Sequence, residues 1–383
     1  MKKPPFPKRN PGNRPLMIGG RGGHTSEREK TSTTRKEPKN TPDMTTFIPK
    51  GALMHTQKPL SHATTHTHFF KQNTSISGVK PMTNKTRIGI AKLLETGSRS
   101  PTQFHEGPDA MEKGGLHPLL EKIGCEVAES RTAALTPDEE KEYGTWHRLG
   151  LASRHLADIV ADQRRRGLFT LGLLSNCNGL MGMLAGLQRS GPTSRPLRVG
   201  LIWIDAHGDY NTPETTLSGM LGGMPVAVST GLCLQRLRLK CGLDPPLPTR
   251  YVTMVGVRDT DPLEQDLLDR SEIQHLTVDH IRNLSPVIDL EIYRLATITD
   301  LTYVHIDMDA LEPEEVPGHG LTVENGPTSA EMADALELIF EHPSTAAFGV
   351  ASYPAGGDPD RRSLKAVYNM VEGVVRGLKN REA

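Results

Sequence analysis

Apolar positions downstream of residue 86 follow two alternating patterns. Short, nearly continuous apolar runs predict strands that are buried on both faces. We place these strands at 88–91, 169–174, 199–204, 251–257, 302–306 and 346–350. Between the runs, apolar residues recur every three or four positions, which is typical of one helix face. This alternation predicts an α/β fold of three layers, in which helices cover both faces of a mainly parallel sheet.

Capping sequences predict where several helices begin. Thr136 and Glu139 form a capping box with proline at the first helical position, so we expect a helix that runs from there toward Arg165. Thr328 and Glu331 repeat the capping box. Two helix faces near the end of the chain are predicted from apolar positions 332, 335, 336, 339 and 340 and from positions 364, 367, 371, 374 and 378.

The start of the chain shows neither the alternation typical of strands nor the three-to-four-residue spacing typical of helices. Residues 1–81 are rich in Pro, Thr, Ser, Lys and Arg and poor in Leu, Ile and Val. Such a segment cannot bury enough apolar surface to offset its ordering entropy. We therefore expect a disordered, basic, low-complexity extension at 1–85 and one domain at 86–383. An organelle transit peptide and a true start at Met82 are alternatives, although no amphipathic Arg-rich helix or secretory apolar segment is visible.

Charge is balanced overall but unevenly distributed. The chain has 45 Lys and Arg and 45 Asp and Glu, yet the first 86 residues contain 16 basic and four acidic ones. The other 29 basic and 41 acidic residues make the body acidic, which is compatible with cation binding. The basic tail alone does not support nucleic-acid binding, because such charge runs are usually solvated.

The distribution of apolar residues and cysteines indicates the cellular compartment. There is no apolar run of about 18 residues, so we expect no membrane-spanning helix and no membrane partner. The four cysteines, at 125, 177, 233 and 241, are too few and too scattered for a disulfide scaffold. We therefore expect a reducing compartment, the cytoplasm.

Metal-binding residue types collect where predicted strands end, which is where open α/β sheets bind ligands. Asp205, His207 and Asp209 follow the third predicted strand, and Asp307 and Asp309 follow the fifth. Alternate residues of an extended chain face the same side, so each set can converge on one point. A single Asp there would more often cap a turn or helix. Several carboxylates together repel unless cations lie among them, which favours two divalent ions that share an acidified water.

The body, from about residue 87 to 378, resembles the arginase/agmatinase family of ureohydrolases. The similar segments occur in the same order and comprise residues 106–108, 205–213, 216–219, 258–264 and 307–313. The resemblance implies an arginase-like fold and hydrolysis of a linear C–N bond in a guanidino or amidino small molecule such as an arginine-like compound. Urea or a related amide and an amine would be released. It also implies a homo-oligomer, a trimer or hexamer.

The resemblance also implies residue roles. Asp205 and Asp307 would bridge two manganese ions, Asp209 would bind the first ion, and His207 and Asp309 would bind the second. Asp209 would also orient a bridging hydroxide and pass its proton to the leaving amine. Positions that hold the α-amino and α-carboxylate groups of an amino-acid substrate are matched by Asn211, Ser218, Asp261 and Glu264. The last two are also compatible with a capped, solvated helix start.

Three positions depart from the family pattern. Cys177 stands where the family has a histidine ligand of the first ion. It is either a thiolate ligand, which favours zinc, iron or nickel over manganese, or a small buried residue behind a poorer site. Gly222 replaces a histidine that assists proton transfer or substrate binding. Asn325 replaces the glutamate that grips the guanidinium, so either the adjacent Glu324 serves instead or the substrate differs. His319 is either a replacement for a lost function or a plain turn residue.

We therefore interpret the chain as a divergent, arginase-like binuclear hydrolase. The matched head-group positions favour an amino-acid substrate. A formimidoylglutamate-type or agmatine-type hydrolase is an alternative within the fold. A metal-poor pseudoenzyme, which binds a ligand or partner without turnover, is the alternative from another class.

Overall fold

The structure is a computed structural model that describes residues 85–98, 102–192 and 194–381. Apart from residue 85, the predicted extension lies outside the described residues, so its disorder and its boundary with the domain stay predictions. No helix among the described residues has both the length and the apolar composition needed to cross a membrane.

The described chain contains one sheet of eight strands in the order β2-β1-β3-β8-β7-β4-β5-β6. Every pair of neighbouring strands in it is parallel, as the apolar runs predicted. The strands are β1 (Arg87–Leu93), β2 (Glu126–Ala133), β3 (Phe169–Leu174), β4 (Val199–Ile204), β5 (Val252–Val255), β6 (Gln274–Leu276), β7 (Leu301–Asp307) and β8 (Thr345–Ala351).

Helices cover both faces of this sheet. They are α1 (Gly107–Met111), α2 (His117–Lys122), α3 (Thr145–Arg165), α4 (Leu180–Gln188), α5 (Pro225–Ser229), α6 (Gln235–Cys241), α7 (Pro262–Asp269), α8 (Val278–Arg282), α9 (Val287–Ile298), α10 (Ser329–Glu341) and α11 (Arg362–Asn380). Along β4, Ile202 and Ile204 join the core beneath α9, α10 and α11, whereas Leu201 and Trp203 join the core beneath α3 and α4. The predicted three-layer architecture is therefore confirmed.

Two strands and one helix start differ from expectation. The strands β2 and β6 were not predicted, because they are the edge strands of the sheet and lack continuous apolar runs. The predicted capping box is present, because Glu139 Oε2 accepts a hydrogen bond from the backbone N–H of Thr136 at 2.8 Å. The helical turn that it caps ends, however, at Lys141. Gly144, with φ of 98°, then breaks the chain before α3 begins. The expected helix start near residue 137 is therefore wrong, because a capping box closes one turn whether or not a helix follows.

The strand order brings the chemistry-bearing loops together. The central strands β3, β8, β7 and β4 are neighbours, and all end at the same edge of the sheet because they are parallel. Leu174 is in register with Ala351, which is in register with Asp307, so these strand ends lie level. The loops that follow them therefore form the walls of one site.

Candidate metal centre

A cavity of about 500 Å³ opens at the carboxyl ends of the strands. Every predicted metal ligand lines it, namely Cys177, Asp205, His207, Asp209, Asp307 and Asp309. The predicted head-group residues Asn211, Ser218, Asp261 and Glu264 line it as well. Residues from four separate loops therefore meet around one space.

Cys177, Asp205 and Asp307 form the first group of ligand atoms, all within 4.8 Å of one another. The thiol of Cys177 donates to Asp307 Oδ2 at 2.8 Å and lies 3.8 Å from Asp205 Oδ2. The hydroxyl of Ser352, at the end of β8, also donates to Asp307 Oδ2, at 2.5 Å. Burial and the charges of Asp307 and Asp205 hold the pKa of the Cys177 thiol well above its usual value. Cys177 is therefore a protonated thiol in this arrangement.

Asp205, His207 and Asp309 form a second group. His207 Nδ1 lies 3.4 Å from Asp205 Oδ1 and 3.3 Å from Asp309 Oδ2. Local hydrogen bonds fix both motifs, because Asp205 Oδ1 accepts from His207 N–H at 2.8 Å and Asp307 Oδ1 accepts from Asp309 N–H at 3.0 Å. The alternate-residue spacing thus converges as the sequence predicted.

Asp209 is placed by an uncommon backbone conformation. Its φ of 46° lies in the left-handed region, which Asp tolerates better than most side chains. Its carbonyl oxygen accepts from Val226 N–H at 3.1 Å, which ties the loop to the start of α5. Burial and the charge of Asp205 hold its pKa well above the usual range. Asp209 is thus a buried carboxyl group that faces the cavity.

The electrostatics of the cavity favour a bound cation. Burial and the neighbouring carboxylates hold the pKa of Asp309 well above normal. Burial opposes protonation of His207, but Asp205 and Asp309 together raise its pKa to about 12. The Oδ1 atom of Asp309 is buried without a hydrogen-bond partner among the described residues. Clustered carboxylates, one with an unsatisfied oxygen, beside imidazole and thiol groups form a donor set suited to divalent metal ions.

Two further histidines are part of this region: His319, for which the sequence left a functional role and a plain turn residue open, and His305, which sequence reasoning missed. His319 forms a third ligand group with Asp307 and Asp309. His305, inside β7, lies behind Cys177, with Nε2 at 3.4 Å from the sulfur. Its ring stacks on Trp203 at 4.5 Å, and burial lowers its pKa to about 3. A histidine within an otherwise apolar strand was the available signal for His305.

The head-group residues hold one another in place. Asp261 Oδ2 accepts from the side-chain amide of Asn211 at 3.1 Å. Glu264 is buried and accepts from Tyr210 N–H at 2.7 Å and from Asp261 N–H at 3.2 Å. Glu264 therefore holds the loop that follows β4 against the start of α7. Ser218 lies at the exposed rim of the cavity.

Among the positions that depart from the family pattern, Gly222 lines the cavity, whereas Glu324 and Asn325 do not. Glu324 is exposed and is not among the residues that line the cavity; its carbonyl oxygen accepts from Arg258 Nε at 3.1 Å. Asn325 is exposed too, and its φ of 66° suits asparagine better than glutamate. The expected contribution of Glu324 to the cavity has no support in this loop conformation. Gly222 lines the cavity, and a Cβ atom there would have no neighbour within 4 Å.

Comparison with known proteins agrees with this geometry. Residues 180–373 match the arginase family. The chain belongs to the arginase family. Arginase from Brevibacillus brevis is 30% identical over 239 residues, which span 61% of this chain and 78% of that protein. The resemblance inferred from the motifs is thereby confirmed, and the chain is an arginase-family hydrolase.

Solved structures of the arginase family share the fold. The crystal structure of arginase from Bacillus subtilis has a TM-score of 0.67 and 24% identity, over 76% of this chain and 98% of that chain. Formimidoylglutamase from Bacillus subtilis has a TM-score of 0.59 and 16% identity, over 77% of this chain and 87% of that chain. At these identities the likeness concerns the fold alone.

Proposed function

We propose that this arginase-family hydrolase uses two divalent metal ions to cleave the linear C–N bond of a guanidino or amidino amino-acid derivative. The proposal rests on one observation: the first two ligand groups share Asp205, and Asp307 belongs to the first and third groups. A carboxylate shared between neighbouring groups is what a pair of ions needs as a bridge.

Each ion has its own set of residues. Cys177, Asp205, Asp209 and Asp307 would hold the first ion, and Asp205, His207, Asp307 and Asp309 would hold the second. When bound, the ions supply the Lewis acidity that makes a water molecule nucleophilic at neutral pH. The identity of the ions follows from the donor set: the sulfur of Cys177 favours zinc, iron or nickel at the first site, while the carboxylates accept manganese.

The remaining residues bind and orient the substrate. The Asn211 and Asp261 pair on the cavity wall offers a carboxylate and an amide to the charged head group of an amino acid. Asp209 faces the same space, so its carboxylate would accept a proton from the attacking water and pass it to the leaving nitrogen. Because the cavity is lined by Leu217 and Leu321 as well, a short aliphatic chain between the head group and the reacting carbon has apolar contacts.

An amidino substrate of the formimidoyl type is the second candidate. Glu324 and Asn325 do not line the cavity, so the described loop presents neither of them to the far side of a guanidinium. A formimidoyl group lacks one of the nitrogens that such an acid would grip. Arginine-like and formimidoyl compounds are therefore compared directly in the test below.

Metal analysis coupled to a product assay tests this function. The full chain is loaded with Mn, Zn, Fe(II) or Ni, freed of excess metal, and assayed for urea, ammonia and amine release from arginine, agmatine and formimidoylglutamate. We expect two ions per chain and metal-dependent hydrolysis of an amino-acid substrate. Fewer than one ion per chain after every loading would favour the pseudoenzyme instead. A matched control is Asp358→Asn, which changes a buried carboxylate at the start of α11, outside the cavity lining.

A further inference from the structure

His319 is a buried histidine whose ring nitrogens lack a well-formed hydrogen bond within the described part of the chain. The residue is 2% exposed, and neither Nδ1 nor Nε2 has a hydrogen-bond partner among the described residues. Leaving buried polar atoms unsatisfied costs about 1–3 kcal/mol for each group, so such atoms in a folded protein call for a partner. The ring is also one of the groups that line the cavity.

The loop holds this ring in a fixed place. His319 N–H donates to Val316 O at 3.1 Å, which closes a turn. Gly318 approaches Gly357 so closely that a Cβ atom on Gly318 would lie 2.3 Å from the Gly357 carbonyl oxygen. On its other side, the ring of His319 contacts the ring of Phe104, with 4.9 Å between centroids. The imidazole is therefore directed into the cavity by the fold of the loop.

The distances from its ring nitrogens to two carboxylates fit a shared metal ion. Nε2 lies 3.4 Å from Asp307 Oδ1, and Nδ1 lies 3.9 Å from Asp309 Oδ2. Ligand atoms that each lie about 2.1 Å from one ion are about 3.0–4.2 Å from one another. His207 Nδ1 lies 3.3 Å from the same Asp309 Oδ2 atom. Two imidazole rings, those of His207 and His319, therefore lie beside the Asp309 carboxylate. Asp309 Oδ1 is itself buried without a hydrogen-bond partner in the described part of the chain.

We propose that His319 is an additional ligand of the second metal ion, which it holds together with His207, Asp307 and Asp309. This inference rests on the proposed binuclear function and assigns one more residue to that site. The ring nitrogens of His319 lie beside Asp307 and Asp309. His319 belongs to the third ligand group and not to the group that contains Cys177, so it would add a nitrogen donor to the second ion and not to the first.

The consequence is an asymmetric pair of sites. The first has a sulfur donor and carboxylates, and the second has two imidazoles and carboxylates. Imidazole-rich sites favour zinc, nickel, copper or iron over manganese. Loss of His319 should therefore weaken the binding of zinc at the second site more than the binding of manganese there.

The test is metal binding by the full chain carrying His319→Ala, compared with wild type and with His147→Ala. His147 lies outside the cavity and makes one ion-pair contact, at 3.7 Å, with Glu142. Zinc stoichiometry and affinity are measured by titration. The number of imidazoles bound to zinc is measured by X-ray absorption. Thermal unfolding in chelator checks the fold of each variant.

We expect two zinc ions and two imidazoles per chain in wild type and in His147→Ala. In His319→Ala we expect one imidazole per chain and a Kd for one zinc ion that rises by at least about 100-fold, since even outer-shell partners of metal ligands cost 10- to 100-fold. Added free imidazole should restore part of that affinity by filling the space of the lost ring. If His319→Ala keeps both ions and both imidazoles, the inference fails and the proposed function stands. If wild type itself binds fewer than one ion, both fail.

Discussion

Asp307→Asn is the substitution that most sharply separates a metal site from a structural cluster. It removes one negative charge at nearly constant shape. In wild type, Oδ1 accepts from Asp309 N–H at 3.0 Å and Oδ2 accepts from the Cys177 thiol at 2.8 Å and the Ser352 hydroxyl at 2.5 Å. An asparagine oxygen can keep the first bond, but its NH₂ group presents donors where an anionic ligand is needed. We therefore expect the variant to fold and to lose both ions.

The size of the effect follows from linkage. Each ion that binds only the folded protein stabilises it by about 4 kcal/mol when its free concentration is about 1,000 times its Kd, so two ions contribute about 8 kcal/mol. A folded body of about 300 residues has an unfolding entropy of about 0.6 kcal/mol per kelvin near its Tm. Saturating metal should therefore raise the Tm of wild type by about 13 °C, and that of Asp307→Asn by less than about 2 °C.

The assay is thermal unfolding of the full chain by calorimetry, in chelator and in metal buffer. Asp358→Asn is the matched control. Asp358 is buried and accepts from the backbone N–H groups of Ser363 and Leu364 at 3.0 and 2.9 Å. That variant should unfold at a lower temperature in chelator yet keep the full metal-dependent rise. A wild-type rise in Asp307→Asn would refute the assignment of Asp307 as a shared ligand.

Three further substitutions test other parts of the account. Cys177→His should lower the Kd for manganese by about tenfold or more, because imidazole suits that ion better than sulfur; an unchanged Kd in the folded variant would indicate that residue 177 is no ligand. Gly222→His has room at its Cβ position and should raise kcat by at least about 100-fold through proton transfer, whereas an unchanged kcat would contradict this. Lys92→Met should lower the free energy of unfolding at pH 7 by about 3 kcal/mol, because Nζ lies 2.7 Å from Asp109 Oδ1 and 2.6 Å from Glu112 Oε2. Contact with Lys92 lowers the pKa of Asp109, and burial only partly offsets the same effect on Glu112. The ionised carboxylates of Asp109 and Glu112 therefore stabilise the folded protein above their unfolded pKa values of 3.8 and 4.5, and this stabilisation is lost as the pH falls through the lower folded pKa values. In urea unfolding, the difference in unfolding free energy between wild type and Lys92→Met should therefore become smaller below about pH 4.

The buried strands could be predicted from the sequence because a strand covered on both faces is apolar at nearly every position. Strands such as β4 are apolar along their whole length, since helices pack on both faces. The edge strand β2 has exposed Glu126 and several polar residues, so a search for continuous apolar runs does not find it. The strand β6 has only three residues. Edge strands are held by backbone hydrogen bonds to one neighbour, and these leave no pattern in the side chains.

The convergence of the predicted metal-ligand candidates could be predicted for a related reason. Asp205 and Asp307 each end a buried parallel strand, and the polarity change at that point is visible in the sequence. His319 and Glu324 belong to a loop whose path depends on the close approach of Gly318 to Gly357. That contact joins segments distant in sequence, so spacing alone could not predict that His319 enters the cavity or that Glu324 stays at the surface.

The most direct measurement is anomalous X-ray diffraction from crystals of the metal-loaded full chain, recorded at the absorption edge of the ion. The account predicts two peaks about 3.5–4 Å apart inside the cavity, with Asp205 and Asp307 between them. A single peak, or peaks elsewhere on the protein with these carboxylates bonded only to protein groups, would contradict it.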